Sequence, residues 1–374
     1  MPSLSDVAET AGVSVSTASR VLNGTKLSER ISADCAARVR NAAREVGYVA
    51  GYHRRAIRSG KTETLGVAVE QNGPAAEPTQ PSSLLQPFYG EIIAGVEQAT
   101  HAAGYNLALI VPSTTSRANA RGRRQVEEKR IDGLVLPPCN LVEDNTQTLR
   151  DSPALPIVAV LPSVETRLPS FIYDTKDAIG RLVDHLHELG HRELLYLGPE
   201  YGQRSNQIAA QRERHFLAAA CRHGIKAEAW THGQPRKERE DPPDRLAEAN
   251  YREEAMERWL HRRGHEGIGR GVTGVVCFND ITAVSACRAL SRHGLRVPQD
   301  ISVTGFDNLD PTRMHTRLTT VDARLIDLGV QAGELVLALA DGGEKAIAAH
   351  RDFCEVIEPR LVVRESTAPA CIHE

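Results

Sequence analysis

Apolar residues recur at helical spacing through the first fifty positions and gather into short runs after that, and the change of period divides the chain. Val7, Ala8 and Ala11 share one face behind Ser3-x-x-Asp6, a capping-box spacing, so a short helix is expected over 3–11. Gly12 supplies a tight turn, and Ser14 is placed to cap a second helix whose Ala18, Val21 and Leu22 fall at i, i+3 and i+4. A third helix is expected from the Ser32 cap through Val39, Ala42, Ala43 and Val46, stopping at Gly47. Two short helices joined by a glycine-containing turn make a helix-turn-helix.

From residue 64 the texture becomes α/β. Strands are expected over 65–69, 106–111, 133–136, 157–161, 194–197, 272–278 and 302–306, and helices over 88–103, 177–189, 212–223 and 282–293. Such alternation implies parallel sheets with ligands at the carboxyl ends of the strands. About 300 residues of it suffice for two lobes and a cleft. The Pro-rich 73–87 and the charged 231–252 look like surface insertions.

The length of 374 residues suits two or three domains, and 41% hydrophobic with 25% charged residues is the composition of a globular chain. No apolar run approaches the ~18 residues of a membrane span, and no basic-then-apolar leader opens the sequence, so a cytoplasmic protein with no membrane partner is expected. Seven scattered cysteines form no Cys-x-x-Cys pair, which fits reduced thiols better than a zinc or disulfide framework. The net charge of -3 hides an asymmetry. Residues 1–61 hold ten basic against five acidic side chains, +5, leaving -8 for the rest. A basic head on an acidic body suggests that the head meets a polyanion.

The outward face of the second helix is short and polar: Ser16, Thr17, Ser19, Arg20 and Asn23. Such side chains approach a phosphate backbone closely, and the fork of Arg20 matches guanine in the major groove. The segment 48–61 carries Arg54, Arg55, Arg58 and Lys61 without an acid and reads either as a solvated linker or as a DNA contact. Other motifs lead nowhere. His187-Glu-Leu-Gly-His191 spells a zinc-protease pattern, yet Gly190 sits where the helix should end, so no metal site is expected. Gly60-Lys61-Thr62 lacks the earlier glycine of a phosphate-binding loop, no nucleophile elbow is present, and neither a catalytic residue nor a cofactor is assigned.

The segment from Ser5 through Asp6-Val-Ala-Glu-Thr-Ala-Gly-Val-Ser-Val-Ser-Thr-Ala-Ser-Arg-Val-Leu to Asn23 resembles the DNA-binding signature of the lactose and galactose repressor family of bacterial transcription regulators. Later landmarks are similar in order: Phe88-Tyr89 with Gly95-Val96-Glu97, the stretch 185–191, Asn279-Asp280, 294–307, 318–321 and 361–367. The resemblance implies a small all-α helix-turn-helix head and an α/β body of two doubly wound lobes, like periplasmic binding proteins. Its implied divisions are a head over 1–48, a hinge over 49–62, a body over 63–364 and a tail over 365–374. Within the body, lobe 1 would take about 63–173 and 322–358, and lobe 2 about 174–321 and 359–364.

By position, the resemblance puts Val15, Ser16 and Arg20 at base edges, and Ser5, Thr17, Ser19, Asn23 and Tyr48 near phosphates or the groove margin. It puts Ile57 as a minor-groove wedge beside Arg54 and Arg55, and Phe88, Arg212, Asn279 and Asp307 around an effector. Departures bear on the hinge and the ligand: Ala50 replaces a usual Pro, Arg54 a small residue, Leu161 an Asp of some sugar-binding members, Thr175 an Asn and Ala178 a Gly. The implied function is a sequence-specific transcription regulator, of repressor type, binding double-stranded DNA at a palindromic operator. It would act as a homodimer under a small effector, with a sugar as the favoured class. The competing reading is a two-lobed solute-binding protein or a sugar-active enzyme.

Overall fold

A computed structural model describes residues 2–22, 31–48, 60–68, 87–110, 128, 130–138, 155–162, 166, 168–198, 207–231, 245–263, 271–309 and 317–371. The chain falls into two compact units, 1–64 with 129–132, and 65–128 with 133–374.

The first unit carries three helices, α1 (Leu4–Ala11), α2 (Val15–Leu22) and α3 (Ala33–Glu45). Ser3 and Asp6 form the reciprocal capping box of α1, and Gly12 ends it with φ +63°, a left-handed turn that glycine adopts without steric cost. The hydroxyl of Ser14 accepts from Thr17 N at 3.1 Å and the Ser14 carbonyl takes Ala18 N at 3.0 Å, as an N-cap does. Ser32 caps α3 through Cys35 N. Val7, Ala8, Ala11, Ala18, Val21, Val39, Ala42 and Ala43 close a small core, and Tyr48 packs at its edge. These side chains are mostly Ala and Val, so the helices approach closely and the unit is small.

The second unit holds two six-stranded sheets. The first is built from β1 (Thr64–Ala68), β2 (Asn106–Ile110), β3 (Gly133–Leu136), β4 (Ile157–Val160) and β5 (Ser170–Tyr173), closed at one edge by β11 (Cys354–Ile357). The second takes β6 (Glu193–Gly198), β7 (Lys226–Thr231), β8 (Gly274–Cys277), β9 (Ser302–Phe306) and β10 (Thr319–Asp322), with β12 (Arg360–Val362) at its edge. The orders are β11-β5-β4-β3-β1-β2 and β12-β10-β9-β8-β6-β7. Setting the added edge strands aside, both follow one doubly wound order, which reverses between β1 and β3 and again between β6 and β8. β12 runs antiparallel to β10, whereas β6 pairs parallel with both β7 and β8.

Alternation along β6 shows how the second sheet is covered. Leu194 and Tyr196 join a core with Ile179, Leu182 and Phe216 of helices α5 (Thr175–Glu188) and α6 (Gln207–Arg222). Leu195 and Leu197 face the other way, onto Met256, Trp259, Ala283 and Ala286 of α7 (Arg245–Arg263) and α8 (Asp280–Arg292). On the first sheet, Val135 and Val158 share a core with Ile92 and Val96 of α4 (Pro87–Ala102) and with Leu328 and Val336 of α9 (Leu325–Ala349). α4 and α9 pack glycine to backbone, for a Cβ on Gly329 would stand 2.2 Å from the Ile92 carbonyl oxygen.

Several elements depart from the sequence-based expectation. The charged stretch read as an insertion over 231–252 contributes the end of β7 and, from Arg245, the first turns of α7. Ala255, Met256, Trp259 and Leu260, just beyond that stretch, supply the buried stripe that makes a helix there. The helix α9 and the strands β5, β7, β10, β11 and β12 were not foreseen. The chain passes between the sheets after β5, β10 and β11, so β11 and β12 complete different sheets although two residues separate them.

Candidate functional site

On α2 the packing of Ala18 and Val21 turns the opposite face outward. Val15 is 47% exposed despite being apolar, and Ser16 and Arg20, one helical turn apart, are exposed beside it. Thr17 and Ser19 are half-buried. The Ser14 hydroxyl holds those of Ser16 and Thr17 at 3.0 and 2.8 Å, so the cap also orients two of the polar groups. Ser5 is exposed on α1, and half-buried Tyr48 donates its amide to the Ala43 carbonyl. Asn23, Arg54, Arg55 and Ile57 lie outside the described residues.

In the body, Arg212 of α6 and Asp307, the residue after β9, meet at 3.3 Å between Nη2 and Oδ1, each side chain 3% exposed. Nη2 also donates to the Tyr173 hydroxyl at 2.6 Å, and Nη1 to the carbonyl of Phe278. The guanidinium carbon lies over two rings, 3.7 Å from the centroid of Phe306 and 4.7 Å from that of Phe278. Its Nε has no partner among the described residues. Tyr173 ends β5, Phe278 follows β8 and Asp307 follows β9, so the group collects at carboxyl ends of strands from both sheets. Strained backbone gathers at such ends too: Leu161 after β4 and Asp307 after β9 have φ of +49° and +102°.

Burial tends to lower the Arg212 pKa, but Tyr173 and Asp307 hold it above its usual value, so the guanidinium stays charged. Burial pushes Asp307 up to about 6 against the pull of Arg212, which leaves it ionised at neutral pH. Burial likewise raises the Tyr173 phenol, which stays protonated.

The other two effector expectations fare differently. Asn279 adjoins the cluster, but its Oδ1 is used to cap α8, accepting from Thr282 N at 2.9 Å and the Thr282 hydroxyl at 2.8 Å. Phe88 is not among the groups that Arg212 touches; it packs partly buried on the core and stands edge-on to Tyr89.

Two participants escaped sequence reasoning. Tyr173 bridges the sheets, and Asp280 lies buried with Oδ1 accepting from the Thr320 hydroxyl at 2.6 Å and Oδ2 from Leu309 N at 2.8 Å. Burial first, and then the charge of Asp307, pushes Asp280 up to about 7. The available signal was the pair of strand ends Phe278-Asn-Asp280 and Gly305-Phe-Asp307, each setting an acid within two residues of an aromatic. The His187 and His191 pattern resolves into a corner. α5 ends at Glu188, Gly190 has φ +89°, and the His191 ring is held by Thr273 and the Ala368 carbonyl.

Comparison with known proteins bears on both units. A model of bacterial regulatory proteins of the lacI family matches residues 3–50, and one of the periplasmic binding protein-like domain matches 183–367. The HTH-type transcriptional regulator GalR of Escherichia coli strain K12 is 28% identical over 379 residues, covering 98% of this chain and 96% of its own. Among solved structures, the lac repressor dimer bound to operator and the anti-inducer ONPF aligns with TM-score 0.76 and 23% identity, over 98% of this chain and 99% of that one. The complex of the transcriptional regulator CelR with cellobiose aligns with TM-score 0.63 and 22% identity, over 98% and 100%.

Proposed function

The chain belongs to the lacI family of bacterial regulatory proteins, and from that premise we propose a working arrangement for a DNA-binding transcription regulator of repressor type, without enzymatic activity, in the cytoplasm. The head reads a half-site with α2 in the major groove. Arg20 selects a base, Val15 and Ser16 touch neighbouring base edges, and Ser5, Thr17, Ser19, Asn23 and Tyr48 meet phosphates or the groove margin. Arg54 and Arg55 follow the backbone while Ile57 enters the minor groove. Two copies bind a palindromic operator, since a two-fold dimer presents two equivalent heads.

The body binds the controlling effector. The observation that carries this part is the fully buried Arg212 with an unspent Nε–H, set against two aromatic rings and the Tyr173 hydroxyl at strand ends of both sheets. Arg212 donates, Asp307 accepts and the Asn279 amide donates, a set suited to hydroxyl groups on a ring, and the flanking Phe278 and Phe306 suit its apolar face. A carbohydrate or a sugar derivative is the class we assign. A ligand gripping residues from both sheets favours one angle between them, and by linkage it alters operator affinity by the same factor as operator alters ligand affinity.

Fluorescence anisotropy with palindromic duplexes recovered by selection tests the head: binding should weaken steeply with salt as counterions are released, and absent or salt-insensitive binding defeats the reading. A thermal-shift screen of sugars, nucleosides and sugar phosphates tests the body, since a specific ligand raises the unfolding temperature by mass action.

A further inference from the structure

Asp132 makes contacts that strand pairing does not require. β1 and β3 are in register from Leu65 against Gly133, and Asp132 stands one residue before that ladder. Its Oδ1 accepts from Thr62 N at 2.7 Å and from the Thr62 hydroxyl at 3.0 Å, and its Oδ2 accepts from Glu63 N at 2.8 Å. Its own amide donates to the Thr64 carbonyl at 2.8 Å. Both carboxylate oxygens are therefore spent on two successive residues just ahead of β1. Charge-assisted bonds of this kind are stronger and more directional than neutral ones.

The backbone held this way is not relaxed. Glu63 has φ +46°, a left-handed conformation uncommon for a residue with a Cβ, and Gly60 turns with φ +70°. Such a conformation persists where its surroundings over-determine it, and here the Asp132 carboxylate grips its amide. What the bend fixes is the direction in which residues 60–63 enter β1, and in sequence the basic segment 49–59 comes directly before them.

We propose that Asp132, with Thr62 as its principal partner, is the positioning residue that anchors the root of the hinge and so sets the half-site spacing the paired heads accept. This rests on the reading of the chain as a two-headed operator-binding regulator. Two heads engage one duplex together only when their separation matches the half-sites, and a root free to swivel spreads that separation and lowers the effective concentration of the second head. Asp132 touches no DNA in this role. Its loss should therefore spare the reading of a single half-site.

The test uses the full-length protein and a duplex recovered from a random pool by the wild type. Asp132→Asn keeps the side-chain shape but turns an NH2 toward an amide donor, and Thr62→Val removes only the hydroxyl. Binding is measured to the recovered duplex, to versions with one base pair added or removed at its centre, and to a version with one half-site scrambled. In Asp132→Asn, affinity for the full duplex should fall about tenfold and the preference for the original spacing should shrink to about threefold or less, with half-site affinity unchanged. Thr62→Val should move the same way by a smaller factor. If both variants keep the wild-type spacing preference, the anchor is wrong even if their melting temperatures drop. If the wild type recovers no duplex, the regulator reading falls and takes the anchor with it.

Discussion

Arg212 and Phe306 form a stacked pair in the body, the guanidinium carbon 3.7 Å from the ring centroid, and the same guanidinium faces Asp307 at 3.3 Å. Removing Arg212 leaves the Asp307 carboxylate buried without its cation. Arg212→Ala should destabilise the body by about 3–5 kcal/mol, the usual cost of breaking a buried pair from one side. Arg212→Met with Asp307→Asn leaves no stranded charge and should recover more than half of that loss, while ligand binding stays abolished. Urea unfolding of the three proteins decides it; a single variant as stable as wild type would show that the pair is not held as described.

Asp280 gives the body a pH dependence of defined sign. Its carboxyl is raised from 3.8 to about 7, so the native state holds this proton more tightly than the unfolded chain. The stability it contributes is complete below pH 4 and lost as pH rises through 7. When protonated, the acid can donate to the Thr320 hydroxyl and still accept from Leu309 N, a pattern that an amide reproduces. Asp280→Asn should therefore fold and should remove part of the decline in stability between about pH 4 and 7. His185 and His191 act in the opposite sense: burial lowers both below 6.5, so their contribution is present above that pH and lost as pH falls through their native values. The difference between wild type and variant isolates Asp280, because the histidines are common to both. Parallel stability-versus-pH curves for the two proteins contradict the assignment.

Two glycines in one helix should respond oppositely to alanine. A Cβ on Gly90 of α4 meets nothing within 4 Å, whereas one on Gly95 would stand 2.1 Å from the Ile326 carbonyl oxygen. Gly90→Ala should stabilise by about 0.5–1 kcal/mol through helix propensity alone. Gly95→Ala must push α9 away and should cost about 2–3 kcal/mol or more, as overpacking of a rigid contact does. Thermal unfolding of both variants checks the contrast, and a neutral Gly95→Ala would mean that α4 and α9 are not in backbone contact.

These effects mark how far the sequence could be read. The head was legible in detail because Ser3, Ser14 and Ser32 are local caps and the apolar stripes are short and clean. The strands 133–136 and 157–160 were legible because continuous apolar runs between turns need no partner to be recognised. α9 was hidden by its own packing, for part of its contact face is Gly329 and Gly333, required by the closeness of α4, which carry no side chain to mark an apolar stripe. β5, β11 and β12 are short and β7 is an edge strand, so each is made by its pairing within the sheet, which no local pattern records. Arg212 and Asp307 stood out through resemblance. Tyr173 did not, because its role depends on Arg212, 39 residues away on α6, which packs on the other sheet.

The head separates folding from reading in two side chains, Ser14 at the start of α2 and Arg20 in its last turn. Ser14 caps α2 through Thr17 N, so Ser14→Ala should destabilise the head by about 1 kcal/mol and weaken binding to every duplex alike. Arg20 is exposed on the outward face, and Arg20→Ala should leave the head folded. It should cost about 1–3 kcal/mol of discrimination at one base pair in each half-site, with the remaining positions read as before. Affinities for a panel of single-base-pair variants of the recovered operator distinguish the two: a uniform fall for Ser14→Ala, and a flattened preference at one symmetric pair of positions for Arg20→Ala. An Arg20→Ala profile with every preference intact assigns base reading to another residue. Val15 is then the first to be replaced, because an apolar side chain 47% exposed on a helix with a polar outer face is placed to meet a thymine methyl.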